Sequence, residues 1–230
     1  MSERRTMSNS SSSLSERALR LASERFSSIS SLIASLRETV RNGVARSKLP
    51  KHIQKAASDS VLMSPSHAAF LADAIPDRYK QASWKLAYST SRDGISLRTL
   101  FRRVSDHSPT LLVVEDMDGS VFGAYASESW RISTKYYGTG ETFVFKLSPV
   151  AKAYHWAPKA GGGERNDMFQ FSREDCIAVG GGGCFALWLD EDLLRGRSAE
   201  SPTFDKMEIL PESGEEDFLV RTVEVWGLAL

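Results

Sequence analysis

The sequence has little of several features that mark particular classes of protein. It contains two cysteines and four histidines among 230 residues, and 29 basic side chains are balanced by 29 acidic ones. A neutral chain gives no bulk electrostatic indication of nucleic-acid binding. Two cysteines without an apolar secretory leader favour a reducing compartment over a disulfide framework. No apolar run approaches the about 18 residues of a membrane span, so a cytoplasmic protein is expected.

Familiar catalytic and metal-binding motifs are also missing. There is no Gly-x-Ser-x-Gly nucleophile motif. The stretch Asp116-Met-Asp-Gly119 resembles part of a calcium loop, but the position of the first ligand is taken by Val114, so a hairpin turn explains it better. The histidines show no pair at metal-ligand spacing: His52, His67, His107 and His155. We therefore expect no cofactor, no metal and no catalytic residue.

The most constrained stretch runs from Gly180 to Asp190 and joins four consecutive glycines to an apolar run. Four glycines indicate positive φ angles or a close backbone approach. A phosphate-binding loop would continue with lysine and a hydroxyl residue, or would open a helix, whereas Cys184 and Phe185 follow here. We expect a glycine corner that leads into a buried strand. Asp190 and Glu191, at its outer rim, are the candidate partner-binding residues.

Three segments precede the body of the chain. Residues 1–13 have few apolar groups to bury and are expected to be disordered. Apolar residues recur at spacings of three and four over 14–45, which predicts an amphipathic helix. Residues 46–65 are polar, contain Pro50 and Pro65, and are interpreted as a linker. The folded domain is expected over 66–230.

The N-terminal helix has a basic character that leaves three interpretations open. Residues 1–50 hold nine basic and four acidic side chains, so the remainder carries five more acidic than basic groups. The helix could pack on the body, dock on a partner, or lie on a membrane surface as a peripheral contact or targeting segment. Glu16, Glu24 and Glu38 weaken mitochondrial targeting, because transit peptides avoid acids, without removing it.

Residues 66–230 show many short apolar runs separated by turn signals. Short helices are expected over 66–73 and after Ser96, which can cap one. This pattern predicts a mainly β, α+β fold, an antiparallel β-sandwich flanked by short helices, together with the N-terminal amphipathic helix. The expected strands are residues 84–88, 111–114, 121–125, 142–147, 151–156, 168–171, 176–179, 184–189, 206–210 and 218–226.

Cys176 and Cys184 are the candidates for thiol chemistry. A peroxide-reducing pair would need an exposed position and a neighbour that stabilises the thiolate. Each cysteine lies in or next to an apolar run. Free cysteine is among the most buried residue types, so two buried, inert thiols are expected.

Several motifs occur in order along the body, including Trp84-Lys-Leu-Ala-Tyr88, Tyr136-Tyr-Gly-Thr-Gly-Glu141, the stretch from Gly180 to Asp190, and Val223-Glu-Val-Trp-Gly227. Through them, residues 70–228 resemble a TLDc domain, the module of oxidation-resistance proteins and of several membrane-traffic regulators. The structural signature that the resemblance carries over comprises Trp84, Gly119, Gly123, Gly138, Gly140, Glu141, Gly180, Gly181, Gly182, Gly183, Trp188, Trp226 and Gly227.

The resemblance implies a β-sandwich and a function without catalysis. Family members protect cells from oxidative stress, and some bind the vacuolar proton-pumping ATPase, so pump subunits are the expected protein partner. Ser201 stands where the family often has cysteine, which weakens any role for that cysteine as an oxidant scavenger here. The glycine-containing segment 157–165 replaces a shorter loop. The alternative hypothesis is a thiol-dependent peroxide-reducing enzyme that uses Cys184 or Cys176.

Overall fold

The structure, a computed structural model, describes residues 49–158 and 165–230. These residues belong to one compact unit, residues 48–230. The expected disorder over 1–13 and the expected helix over 14–45 lie outside the described residues, as do the glycines of the 157–165 segment.

The described residues form four α-helices, a 3₁₀ turn at Asp77–Tyr79 and ten strands. The helices are α1 Lys51–Asp59, α2 Pro65–Ala74, α3 Thr90–Asp93 and α4 Leu97–Val104. The strands are β1 Ser83–Ser89, β2 Thr110–Asp116, β3 Val121–Ala126, β4 Phe143–Lys146, β5 Lys152–His155, β6 Gln170–Ser172, β7 Cys176–Val179, β8 Leu187–Asp190, β9 Arg195–Arg197 and β10 Asp217–Ala229.

Helix α4 begins where its sequence predicts. The hydroxyl of Ser96 accepts a hydrogen bond from the backbone N–H of Thr99 at 3.4 Å, as an N-cap residue does. Leu97, Leu100 and Val104 follow at spacings of three and four, and all three are buried. The capped amphipathic pattern therefore fixes both the start of α4 and the face that it turns inward.

All strand pairs are antiparallel, and the order β5-β4-β3-β2-β10-β9-β8-β7-β6 places β10 at the centre, with β1 also paired to β10. The 13-residue β10 belongs to two sheets. Sheet A contains β1 to β5 and most of β10, whereas sheet B contains β6 to β9 and the first residues of β10. This arrangement confirms the predicted antiparallel β-sandwich.

Two hydrophobic cores lie on opposite faces of sheet A. The core between the sheets joins residues such as Leu112 and Phe122 of sheet A to Val179 and Leu189 of sheet B. Alternate residues of the same sheet A strands, such as Leu111, point to a second core that helices α1 and α2 cover. Side chains alternate between the faces of a strand, so one apolar strand can supply both cores.

The interpretation of residues 46–65 as a linker was wrong. Helix α1 occupies Lys51–Asp59 of this segment, and its Ile53, Ala56 and Ala57 are buried in the core that also holds Trp226. Spacings of three and four place these side chains on one helix face. The stripe contains only one large apolar residue among polar neighbours, which is why the segment has the composition of a linker.

The strand predictions hold for most of the sandwich. The Asp-Gly turn joins β2 to β3, and β4 pairs with β5, as the turn signals predicted. Residues 206–210 were wrongly predicted as a strand, because Lys206 has a φ of +45° and the segment buries Met207 and Leu210 without sheet pairing. Strand β9 was missed, since Arg195-Gly-Arg197 carries no apolar side chain.

Candidate functional site

The glycine run forms a corner between β7 and β8. Gly180, Gly182 and Gly183 have φ angles of +82°, +92° and +128°, a range that residues with side chains rarely adopt. Gly181 lacks space instead, because a Cβ there would lie 2.7 Å from the hydroxyl of Tyr136. The corner therefore requires glycine for two separate reasons, backbone conformation and close packing.

The first two backbone donors of the corner, those of Gly180 and Gly181, are used inside the protein. The N–H of Gly180 donates to the carbonyl of Phe169 at 2.8 Å. The N–H of Gly181 donates to the hydroxyls of Ser201 at 3.1 Å and Thr203 at 2.9 Å. A phosphate cradle would direct such donors toward its ligand. Ser201, at the position where a cysteine was expected for the family, is buried and holds the corner in place.

Asp190 ends β8 and organises the turn to β9. Its Oδ1 accepts hydrogen bonds from the backbone N–H groups of Leu194 at 2.9 Å and Arg195 at 3.2 Å. Leu193, inside this turn, has a φ of +52°, which is uncommon for a residue with a side chain. Asp190 is therefore committed to the turn through one of its oxygens, and its role there is to position the neighbouring residues.

Glu191 lies next to Asp190 in the turn and is exposed. Its backbone carbonyl accepts a hydrogen bond at 2.9 Å from the N–H of Leu97, the first residue of α4. This bond ties the start of α4 to the β8–β9 turn. The Glu191 side chain lines a cleft of about 600 Å³ beside this junction.

The cleft continues into a second one of about 500 Å³, which shares Ile132 and Glu174 with it and extends to Phe171. We call the two together the Ile132 groove. It draws on α4, the segment after Trp130, the β6–β7 turn and the β8–β9 turn. The groove is defined by Phe101, Ile132, Phe171, Glu174, Glu191 and Asp192.

Comparison with known proteins identifies the family. A family model described as the TLDc domain matches residues 56–229. The chain belongs to the TLDc domain family. The match begins inside α1, ahead of the expected domain start at residue 66, in agreement with the packing of α1 on sheet A.

Two groups of relatives resemble this TLDc chain. Nuclear receptor coactivator 7 is 45% identical over 168 residues in Gallus gallus and 44% over 169 in Homo sapiens. Oxidation resistance protein 1 of Homo sapiens is 40% identical over 170 residues. Each alignment covers 73% of this chain and 18%, 17% and 18% of the respective relatives. The chain thus matches less than a fifth of the length of these relatives.

The other signature glycines of the TLDc domain lie in turns or at close contacts. Gly119 and Gly138 have φ angles of +87° and +96°. At Gly123 a Cβ would lie 1.9 Å from the carbonyl oxygen of Leu112 on the paired strand, so a side chain there would displace the β2–β3 ladder. Gly140 and Gly227 are crowded in the same way as Gly123, because an added Cβ would lie closer than 3.0 Å to a neighbouring atom at each of them.

The signature tryptophans occupy different environments. Trp84 and Trp226 are buried together in the core beneath the helices. Trp188 is half-buried on β8 and lines a cleft of about 410 Å³ with Arg195 and Leu219. The first two therefore stabilise the fold, whereas Trp188 also contributes to the surface.

Glu141 forms a bidentate ion pair with Arg78, which joins the turn before β4 to the 3₁₀ turn. The guanidinium group of Arg78 lowers the pKa of the Glu141 carboxyl. Both side chains are more than a third exposed. The pair lies near the hydroxyl of Tyr125, which is buried without a hydrogen-bond partner and whose pKa burial raises.

Sequence reasoning missed the role of Glu224, a buried carboxylate in the centre of β10. It accepts hydrogen bonds from the hydroxyl of Ser60 at 2.6 Å, the N–H of Val61 at 2.9 Å and the indole N–H of Trp226 at 3.0 Å. Glu224 thereby joins the α1–α2 connection to the sheet. A charged residue inside the apolar run Val223-Glu-Val-Trp was the available signal.

The two cysteines differ, which corrects the expectation that both are buried. Cys176 is buried at the start of β7, and burial raises the pKa of its thiol. Cys184 is exposed because it precedes β8 and belongs to the corner. Cys176 pairs with Asp190, at the far end of the β7–β8 ladder from the corner. The three residues from Cys176 to Val179, at the corner end of β7, span about 10 Å, which exceeds the Cα separation that a disulfide allows. Cys184 lies in the corner beyond Val179, and both thiols are free.

The described part of the chain contains neither a metal-binding cluster nor a membrane-spanning helix. No group of three or more histidine, cysteine, aspartate or glutamate side chains there could hold a metal ion. No described helix has the length and apolar character needed to cross a membrane.

Proposed function

We propose that this TLDc chain is a non-catalytic interaction module that contributes to oxidative-stress resistance by binding a protein partner, the vacuolar proton-pumping ATPase. Relatives named oxidation resistance protein 1 support the role in stress resistance. The family resemblance supplies the pump as the partner. A cytoplasmic location, at most peripheral on organelle membranes, belongs to the same proposal.

The observation that carries the proposal is the way the polar groups of the glycine corner, of the β8–β9 turn and of Glu141 are used. Gly181 is paired with Ser201, Asp190 with its own turn, and Glu141 with Arg78. A catalytic site needs polar groups that converge on a substrate rather than on one another. The conspicuous polar side chains thus support structure, and the surface that they hold in place remains for a partner.

The proposal is tested by affinity capture with the full chain from cell lysate, followed by mass spectrometry. Enrichment of pump subunits over a bait of similar size and charge is the expected result. A family member known to bind the pump serves as the positive control. Failure to enrich pump subunits where that control succeeds would remove the pump assignment.

A second candidate function, peroxide reduction, is favoured by one observation. Cys184 is exposed in the glycine corner, and an exposed position is one requirement of a reactive thiol. Purified chain would be assayed for consumption of hydrogen peroxide with dithiothreitol as reductant. Activity that is lost in Cys184→Ser and kept in Cys176→Ser would replace the interaction proposal with an enzymatic one.

A further inference from the structure

The Ile132 groove combines an apolar floor with an acidic rim. Ile132 lines both clefts of the groove, and its side chain is 57% exposed to solvent. Phe101 and Phe171, both half-buried, extend the apolar surface to either side. Exposed apolar surface rimmed by polar groups is typical of protein-binding sites.

The rim carries charges that the described chain does not neutralise. Glu174, Glu191 and Asp192 are exposed, and no described residue forms an ion pair with any of them. Arg98 is the unpaired basic side chain of the same lining, whereas Arg173 pairs with Asp175 at 3.4 Å. The unpaired charges of the groove are therefore three negative and one positive.

Two ordered turns fix the backbone from which these carboxylates project. Glu191 is held by the bond from Leu97 to its carbonyl, and Asp192 follows it in the turn that Asp190 organises. Glu174 lies in the β6–β7 turn, where the N–H of Arg173 donates to the carbonyl of Cys176 at 2.8 Å. Acidic groups on ordered turns project from set backbone positions, which adds specificity to the attraction for a cationic partner.

We propose that the Ile132 groove binds a cationic amphipathic segment of a protein partner, with an apolar side chain over Ile132 and lysine or arginine side chains facing the three carboxylates. The proposal rests on the interaction function above and names the chemistry of its partner. An anionic ligand would meet net repulsion. A second copy of this chain in a two-fold contact would bring the same carboxylates opposite each other.

A direct test uses a defined probe and the full chain. The probe is a fluorescent peptide of about 16 residues made of leucine and lysine. Its leucines recur at spacings of three and four, so that one face of the helix is apolar and the other is cationic. Fluorescence anisotropy at about 150 mM salt, where long-range attraction is screened, measures the dissociation constant. We expect saturable binding. Comparable binding of a leucine–glutamate peptide, or of a serine–lysine peptide without the apolar face, would overturn the proposal.

Matched variants locate the binding. The triple variant Glu174→Gln, Glu191→Gln and Asp192→Asn removes the rim charges with little change of size, and should weaken binding at least about tenfold. The control triple Glu200→Gln, Glu212→Gln and Glu215→Gln neutralises three exposed glutamates outside the groove lining and should leave affinity unchanged. Equal effects of the two triples would mean a non-specific charge effect and would contradict the groove.

The apolar part of the site has its own pair of variants. Ile132→Ser should weaken binding by about tenfold, because it removes the exposed apolar side chain between the clefts. Val150→Ser, which changes a valine that is 71% exposed outside the groove lining, is the control. Unchanged affinity in Ile132→Ser would show that the peptide binds elsewhere. Self-association of the wild-type chain through the same residues, seen in sedimentation, would favour a second copy and overturn the proposal.

Capture of pump subunits by the same variants separates the two proposals. Capture by the wild type and the control triple, but not by the groove triple, supports both. Equal capture by wild type and groove triple overturns the groove as the pump-binding surface and leaves the proposed function intact. Groove-dependent peptide binding without capture of the pump by the wild type supports the groove and removes the pump assignment.

Discussion

The carboxylate of Glu224 accepts a hydrogen bond at 3.0 Å from the indole N–H of Trp226, two residues further along the same strand. The same carboxylate receives the hydroxyl of Ser60 and the N–H of Val61 from the α1–α2 connection. One buried carboxylate therefore accepts hydrogen bonds from three donors. Val61, one of the donor residues, precedes Glu224 by 163 residues along the chain. The contact joins the connection between α1 and α2 to the central strand of sheet A, beside the apolar core that these helices share with the sheet.

Removal of the Glu224 carboxylate should destabilise the protein. Glu224→Ala leaves three donors unpaired, one of them buried on Trp226, and should lower the free energy of unfolding by about 3 kcal/mol. Glu224→Gln keeps an acceptor and should cost less. Urea denaturation measures both, with the exposed Glu212→Ala, expected within about 0.5 kcal/mol of wild type, as control. Wild-type stability of Glu224→Ala would contradict this account of the contact.

The glycine corner should not tolerate a branched side chain. Gly182→Val places a β-branched residue at a φ of +92°, with its Cβ 2.6 Å from Nδ2 of Asn166 and 2.9 Å from Cγ of Pro202. Backbone strain and crowding together should lower unfolding free energy by more than about 2 kcal/mol. Gly214→Val has the backbone strain of a φ of +74° without the crowding, because no atom lies within 4 Å of its Cβ. It should therefore lower the free energy of unfolding by less. Thermal melts that show equal losses would remove crowding from the explanation.

The ion pair of Glu141 and Arg78 should contribute stability that depends on pH. Arg78 lowers the carboxyl pKa from its ordinary value of 4.5, so protonation is favoured by unfolding. The contribution is present above pH 4.5 and is lost as the pH falls through the lowered value. Both groups are exposed, so Glu141→Gln should cost less than about 1 kcal/mol near neutral pH. A difference between wild type and variant that persists unchanged in acid would contradict the pairing.

The two thiols should react at different rates. Cys184 is exposed, whereas Cys176 is buried and its raised pKa leaves less thiolate at neutral pH. Iodoacetamide should therefore modify Cys184 first in the native protein, and denaturant should abolish the difference. Peptide mass spectrometry over time measures both sites. Equal rates of modification at the two cysteines in the native protein would contradict the prediction, because they would mean that Cys176 is as accessible to the reagent as Cys184.

Local sequence signals predicted much of the sandwich. The Asp-Gly turn before Ser120, where Asp116 accepts hydrogen bonds from two backbone N–H groups, specified the β2–β3 hairpin. Helix α1 escaped prediction because its buried stripe contains one large apolar residue, Ile53, beside two alanines, and because core partners such as Trp226 are distant in sequence. Cys184 was expected to be buried because the apolar run was read as strand from its first residue, whereas β8 begins at Leu187.

The candidate site was harder to predict than the fold. Glu191 was singled out because it follows the glycine corner and its apolar strand. The rest of the Ile132 groove comes from α4, residue 132 and the β6–β7 turn, and only tertiary packing brings these segments together. Solvent-exposed side chains leave no periodic pattern in the sequence, so neither Ile132 nor Glu174 could be distinguished from ordinary surface residues.

The most direct test of the central claim is a titration of the full chain against the purified cytosolic sector of the vacuolar proton pump. We expect saturable binding for the wild type and for the control triple at Glu200, Glu212 and Glu215. Binding should weaken at least about tenfold for the triple at Glu174, Glu191 and Asp192. Absence of wild-type binding at concentrations where a known pump-binding family member saturates would contradict the claim.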